Sequence, residues 1–168
     1  IDVANNYAYT VDENQEIFNV IDVSDVNNLS IVGTLEYGTD PQDVVVSGNY
    51  AYLLEYGTAI GSIDVSDPMD PTDMDFFDEL GGGANGFALA GNYLYVVDDL
   101  SNDLRIVDIS NPLSLSLTGS LTVGDFPTAV AASGDYAYVV DSDSDDLKVI
   151  NVSNPASPML IGSLPIGD

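Results

Sequence analysis

The sequence contains no cysteine, no histidine and no tryptophan. Without cysteine no disulfide can hold the fold, whichever compartment it occupies. Without imidazole or thiolate, serine–histidine catalysis, thiol catalysis and zinc or haem sites ligated by His or Cys are excluded. Cations are nearly absent: Arg105 and Lys148 stand against 28 Asp plus Glu, and the net charge is −26. Nucleic-acid binding relies on several basic side chains to displace counterions, so no nucleic-acid partner is expected. Docking on anionic lipid is disfavoured for the same reason. No apolar run reaches the roughly 18 residues that a membrane helix needs, so no membrane insertion is expected. The chain opens on Ile1 without a charged-then-apolar leader. Its start therefore reads as a processing site or a cut in a longer chain.

What is present is enough for one compact domain: 168 residues, 45% of them hydrophobic. Their order is repetitive. Tyr-x-Tyr recurs every 43 residues, as Tyr7-Ala8-Tyr9, Tyr50-Ala51-Tyr52, Tyr93-Leu94-Tyr95 and Tyr136-Ala137-Tyr138. Each is followed by a second landmark: Asp22-Val23-Ser24, Asp64-Val65-Ser66, Asp108-Ile109-Ser110 and Asn151-Val152-Ser153. Asp67-Pro68, Asn111-Pro112 or Asn154-Pro155 comes next, with Asp25-Val26 in the first copy. A third landmark reads Gly33-Thr34-Leu35, Gly119-Ser120-Leu121 and Gly162-Ser163-Leu164, with Asp75-Phe76-Phe77 in its place in the second unit. Apolar and β-branched runs such as Val44–Ser47, Tyr50–Leu54, Leu104–Ile109 and Leu115–Thr122 alternate with Gly, Asn and Pro breakers, and no helical period is sustained. Four short strands per unit at this period are the mark of a propeller blade. The expected fold is all-β: a β-propeller of four four-stranded blades over 1–43, 44–86, 87–129 and 130–168, forming one domain over 1–168.

The runs Leu104-Arg105-Ile106-Val107-Asp108-Ile109-Ser110-Asn111-Pro112 and Leu147-Lys148-Val149-Ile150-Asn151-Val152-Ser153-Asn154-Pro155 resemble the LVIVD repeat. The step Gly91-Asn92-Tyr93-Leu94-Tyr95 is similar to it as well. The resemblance covers all four units and is weakest in the second, at Gly61-Ser62-Ile63-Asp64. It implies a bacterial or archaeal β-propeller, usually on surface or secreted proteins, with no assigned catalytic residues. Residue 1 aligns with Val44, Phe87 and Val130, so the cut falls at a blade boundary. Either four blades close into a ring, or the chain is an arc of a longer propeller or array, and the phasing leans towards the longer parent.

Asp141, Asp143 and Asp145 alternate in the acidic stretch Asp141-Ser142-Asp143-Ser144-Asp145-Asp146 and are a candidate Ca²⁺ site. The stretch lacks the Gly and the Glu of a calcium loop, which favours a solvated hairpin tip. The same turn is acidic in every unit, at Asp12-Glu13, Glu55, Asp98-Asp99 and Asp141, and the connections between units add Glu36, Asp40, Asp43, Asp78, Glu79 and Asp125. One strongly negative face is therefore expected. Arg105 and Lys148 share one register, and Asp103 and Asp146, two residues before them, are their expected ion partners. The Tyr-x-Tyr stripe could stack sugar rings, but packing between blades explains it more simply. Asn28 stands in a glycosylation sequon within a turn, whereas Asn151 replaces an Asp and is expected to be structural.

Three functions remain open at this point. The first is a non-enzymatic extracellular or cell-surface structural or adhesion protein, a subunit of a larger surface assembly or fibre. Its partners would be other copies of itself or the rest of a longer parent chain, with divalent cations or glycans as ligands. The second is a calcium-dependent binding module. The third, by fold analogy alone, is a metal-dependent lactonase-type hydrolase. The first is expected, because no nucleophile–base pair or phosphate clamp is evident.

Overall fold

The computed structural model describes residues 1–38, 40–55 and 57–167. Asp168, the end of the fourth unit, lies outside the described residues. Among the described residues, sixteen strands form four antiparallel sheets, each taken in chain order. The first blade holds β1 (Asp2–Ala4), β2 (Tyr7–Asp12), β3 (Ile17–Asp22) and β4 (Ser30–Glu36). The second holds β5 (Pro41–Ser47), β6 (Tyr50–Glu55), β7 (Ala59–Asp64) and β8 (Thr72–Phe77). The third holds β9 (Ala84–Ala90), β10 (Tyr93–Asp98), β11 (Asp103–Asp108) and β12 (Ser116–Thr122). The fourth holds β13 (Pro127–Ser133), β14 (Tyr136–Asp141), β15 (Asp146–Asn151) and β16 (Met159–Pro165). No helix occurs among the described residues.

The three landmarks have separate physical tasks. Tyr-x-Tyr starts the second strand of each blade, directly after a tight turn. Position 5 of that turn is Asn5, and its equivalents are Gly48, Gly91 and Gly134, all with φ between 52° and 61°. Such angles favour Gly or Asn. In the second landmark the side chain closes a turn on its own backbone. Asp22, Asp64, Asp108 and Asn151 accept the amides of Ser24, Ser66, Ser110 and Ser153 at 2.9, 2.8, 2.8 and 3.0 Å. These bonds, first the one to the serine hydroxyl and then the one to its amide, hold the Asp22 and Asp64 carboxyls below their usual range.

The glycine of the third landmark makes room for the following blade. A Cβ on Gly33 would collide with the carbonyl of Pro68, and one on Gly119 with the carbonyl of Pro155. The fourth strand bulges beside each of these glycines, at Val20/Ile21 and at Ile106/Val107 of the facing strand.

Two compact units divide the chain, 1–56 with 60–76, and 57–59 with 77–168. In the first, Tyr9, Phe18 and Val20 of the first blade pack on Val44, Val46, Ala51, Leu53, Ile63 and Val65 of the second. The rings of Tyr9 and Phe18 stack at 6.1 Å. In the second, Tyr95, Val97, Leu104 and Ile106 of the third blade pack on Ala137, Val139, Ile150 and Val152 of the fourth. The tyrosine-bearing face of one blade thus meets the opposite face of the next, and the stripe serves blade packing as expected.

Candidate functional site

The second strand of every blade ends in an acidic residue at one register: Asp12, Glu55, Asp98 and Asp141. Glu55, Asp98 and Asp141 are buried, so they do not join the exposed negative face expected from the sequence. Burying a carboxylate is tolerable only if its oxygens are engaged, and each blade engages them differently. In the first blade the exposed turn does it with Gln15. Its side-chain amide donates to Asp12 at 2.7 Å and, with the backbone amides of Gln15 and Asn14, lowers the Asp12 pKa. In the second blade Tyr37 lies beside Glu55. Burial first, then the Glu55 charge, push the Tyr37 hydroxyl well above its ordinary value.

The fourth blade closes its site with a cation. Lys148 Nζ donates to Asp141 Oδ2 at 2.8 Å and to Ser144 Oγ at 3.1 Å. The amides of Asp143 and Ser144 donate to Asp141 Oδ1 at 3.1 and 3.0 Å. Burial pushes the Asp141 carboxyl up, but the Lys148 bond, the Ser144 amide, the Lys148 charge and the Asp143 amide together leave it below the usual carboxylate range. Asp141 therefore serves as the anchor of the turn. Asp143 and Asp145 are exposed, and Asp145 takes φ 50° in the turn. Among the described residues no group of three or more acidic side chains gathers in a way that could hold a metal.

The third blade has the same three positions, Asp98, Ser101 and Arg105, but leaves them open. The amides of Leu100 and Ser101 donate to Asp98 Oδ1, both at 2.9 Å. Arg105 Nη2 stands 4.0 Å from Asp98 Oδ2, and Arg105 Nη1 donates to the Glu79 carbonyl at 2.8 Å. Asp98 Oδ2, Ser101 Oγ and Arg105 Nε are buried without a hydrogen-bond partner among the described residues. Gly81-Gly82-Gly83 borders the cluster. A Cβ on Gly83 would come 2.6 Å from Asp98 Oδ1, and one on Gly81 would come 3.2 Å from Arg105 Nη2.

The expected pairing of the cations with Asp103 and Asp146 is thus corrected. Arg105 and Lys148 reach diagonally across the sheet to the second strand, because a buried acid needs a counter-charge more than a solvated one does. Asp103 and Asp146 instead accept from Thr122 and Ser163, at 2.9 and 2.8 Å. Asn151 is structural, as expected, since its Oδ1 accepts from the amide and hydroxyl of Ser153. Asn28 is exposed in a turn, its amide bonded to the Asp25 carbonyl at 2.9 Å.

At the opposite end of the same strands, an open groove of about 580 Å³ lies between the third and fourth blades. Its lining includes Asn92, Tyr93, Tyr95, Asp135, Ser153 and Pro155. Tyr93 is half-buried and Asp135 exposed. Burial first, then Tyr93 and the Asp135 charge, raise the Tyr95 hydroxyl pKa. The groove joins an aromatic ring to an amide, a carboxylate and a hydroxyl. Sequence reasoning weighed its tyrosines as a platform for sugar rings but missed Asp135 and Ser153, because they come from the neighbouring blade. The open cluster was missed as well, although the 43-residue register links Ser101 to Ser144 just as it links Arg105 to Lys148.

The LVIVD repeat matches residues 1–36, 38–78, 81–123 and 128–165. No curated protein matches the sequence. Among solved structures, the chain is similar to a periplasmic gluconolactonase of Pseudomonas aeruginosa, with a TM-score of 0.78 at 20% identity, covering 96% of this chain and 52% of that one. A Bacteroides fragilis protein provisionally named a 6-phosphogluconolactonase superposes with a TM-score of 0.79 at 16% identity, covering 96% and 52%. A Lactobacillus plantarum protein gives a TM-score of 0.81 at 22% identity, covering 94% and 51%. The chain spans about half the length of each. These likenesses establish the propeller-type fold. They also correct the expectation of a non-enzymatic protein, because chains of this fold bear lactonase names. Opening a lactone needs an activated water and a stabilised oxyanion, which carboxylates and guanidinium groups can supply without His or Cys.

Proposed function

The chain belongs to the LVIVD repeat family, and from that premise we propose that it is a propeller module binding a polyhydroxylated, sugar-type ligand in the groove between its third and fourth blades. One observation carries the reading: the groove sets the Tyr93 ring beside Asn92, Asp135 and Ser153 in about 580 Å³. A sugar offers an apolar face to an aromatic ring and hydroxyls to amides and carboxylates, and sites that combine a few polar groups with aromatic walls suit such ligands. An extracellular or cell-surface setting belongs to the same proposal. Its supports are the family's usual occurrence and a charge of −26 that attracts divalent counterions. Glycan adhesion would be one use of such a module. Calorimetric titration with neutral saccharides and sugar acids tests it. Binding that falls about tenfold or more in Tyr93→Ala and in Asp135→Asn supports the groove. Absence of binding, or binding indifferent to both changes, refutes it.

A second reading, lactone hydrolysis, is favoured by the open cluster of the third blade. There Asp98 would take the proton of an attacking water and Arg105 would stabilise the developing oxyanion, releasing the sugar acid. The names borne by proteins of this fold support it. Hydrolysis of a sugar lactone above the buffer rate, abolished by Arg105→Gln, is the expected result. A rate equal to buffer removes this reading and leaves the groove untouched.

A further inference from the structure

The closed cluster of the fourth blade shows what the open one of the third is built to receive. Arg105 and Lys148 stand at one register, opposite Val96 and Val139 of the second strand. Asp98 and Asp141 are held alike, each with Oδ1 accepting the amides two and three residues on, at 2.9 to 3.1 Å. That leaves Oδ2 as the free oxygen in both, beside the serine three residues on. In the fourth blade a single atom answers both groups: Lys148 Nζ donates to Asp141 Oδ2 at 2.8 Å and to Ser144 Oγ at 3.1 Å. Arginine has carbon, not nitrogen, at that distance along its side chain. Nε falls one bond short of the place and the two Nη groups lie one bond beyond it. Arg105 Nη1 is committed to the Glu79 carbonyl, and Nη2 stops 4.0 Å from Asp98 Oδ2. That distance is too long for a hydrogen bond and suits a bridging oxygen.

The Asp98 side chain is 1% exposed, and its Oδ2, Ser101 Oγ and Arg105 Nε have no hydrogen-bond partner among the described residues. Buried groups of this kind are costly to leave unbonded, a charged one most of all. The connection beside them keeps room for a partner. A Cβ on Gly124 would run into Asp141 Oδ2 and stand 2.6 Å from Lys148 Nζ. On Gly81, at the same register, it would instead meet the Arg105 guanidinium, at 3.2 to 3.6 Å, before any atom of Asp98. The class of partner follows by elimination. A cation would meet the guanidinium charge and could not accept from Nε. An anion would meet the buried Asp98 carboxylate. A neutral hydroxyl oxygen both donates and accepts through one atom. We propose that the third blade holds a single-oxygen site, in which a neutral hydroxyl, from water or from a small polyol, donates to Asp98 Oδ2 and accepts from Arg105 Nε, with Ser101 Oγ as its third partner. The site goes beyond the lactonase reading and does not depend on it, although its oxygen stands where that reading needs its attacking water.

A high-resolution crystal structure, from crystals free of polyol, should show an ordered oxygen about 2.5–3.2 Å from both Asp98 Oδ2 and Arg105 Nε. Arg105 closing directly on Asp98, with no oxygen between them, overturns the proposal. Arg105→Lys should repeat the fourth blade, its ammonium nitrogen replacing the oxygen. An oxygen still bonded to both Asp98 and Ser101 in that variant also overturns it, since the site would not be the one that Lys148 Nζ fills. The source of the hydroxyl is read in solution. Arg105 is the only arginine, so a nitrogen-labelled chain gives one Nε–H resonance. A saturable shift of that resonance with glycerol or inositol, weakened about tenfold in Ser101→Ala, assigns a polyol hydroxyl. A resonance indifferent to both, with the oxygen present in the crystal, assigns water. A protein that holds the oxygen and leaves sugar lactones intact loses the hydrolytic reading alone.

Discussion

Replacing Lys148 with Met tests whether the buried pair of the fourth blade anchors its turn. Asp141 is fully buried, the Lys148 side chain is 10% exposed, and Nζ lies 2.8 Å from Oδ2. At an effective dielectric near 20, two unit charges about 4 Å apart interact by roughly 4 kcal/mol. Removing one partner of a buried pair typically destabilises by about 3–5 kcal/mol. The lower end applies here, because the Asp143 and Ser144 amides still engage Oδ1. A loss of about 3 kcal/mol, at roughly 2–4 °C per kcal/mol for a chain of this size, lowers Tm by about 6–12 °C. Asp141→Asn in the same background keeps the amide bonds and removes the stranded charge, so the double variant should recover most of that loss.

The pH dependence follows from the direction of the Asp141 shift. Its folded pKa lies below the unfolded value, so its stabilisation is complete above the ordinary carboxylate range near 4 and fades as pH falls through the folded value. In Lys148→Met burial is opposed only by the Ser144 and Asp143 amides, and the carboxyl titrates at higher pH than in the unmodified protein. Protonation of the stranded carboxyl relieves its burial, so the variant should lose less stability in acid than the unmodified protein, and the gap between them should narrow as pH falls. Thermal melts from about pH 7 to about pH 3 provide the measurement. A Tm within about 2 °C of the unmodified protein at neutral pH, or a double variant as unstable as the single, would refute the anchoring argument.

Gly119→Ala should destabilise by about 1–3 kcal/mol, since its Cβ runs into the Pro155 carbonyl. Gly162→Ala should change the monomer little, and urea titrations of the two variants make the comparison. Stability should rise between about 0.01 M and about 0.15 M salt, over which the screening length falls from roughly 30 to 8 Å. If millimolar Ca²⁺ gives more than equal ionic strength of NaCl, and Asp143→Ala removes the excess, a specific ion site is present. An equal gain in that variant leaves only screening.

The repeat made the fold legible because its landmarks encode local physics. Asp22-Val23-Ser24 is a side-chain-to-backbone turn, Ser47-Gly48-Asn49 a positive-φ turn, and the apolar run from Tyr50 to Leu54 a strand buried on both faces. Each depends on residues at most three apart. The destination of the cations was harder to read, because i and i+2 neighbours in the sequence compete with diagonal neighbours across the sheet. Asp103 lies nearer to Arg105 along the chain, but Asp98 is the buried acid and takes the counter-charge. Of the groove only the aromatic part was legible, in the Tyr-x-Tyr stripe weighed as a platform for sugar rings; Asp135 and Ser153 come to Tyr93 only through blade packing.

The register that ends the second strand shows how one scaffold can carry several chemistries. The acid recurs at Asp12, Glu55, Asp98 and Asp141, so its contribution to the turn is common to the blades. What differs is the group that answers it: Gln15 from the turn, Tyr37 from the connection between blades, Arg105 or Lys148 from the third strand. Lysine reaches both Asp141 and Ser144 and satisfies them, which leaves a closed structural pair. Arginine at the same place donates to the Glu79 carbonyl, and the carboxylate oxygen Oδ2 and the hydroxyl whose counterparts lysine satisfies in the next blade have no hydrogen-bond partner among the described residues. A single cation exchange in one register, with a neighbouring connection able to hold the guanidinium, thus turns a fastening into a site with both donors and acceptors to offer. Function in such an array is to be sought where one blade departs from the others, as the third departs from the fourth at Arg105.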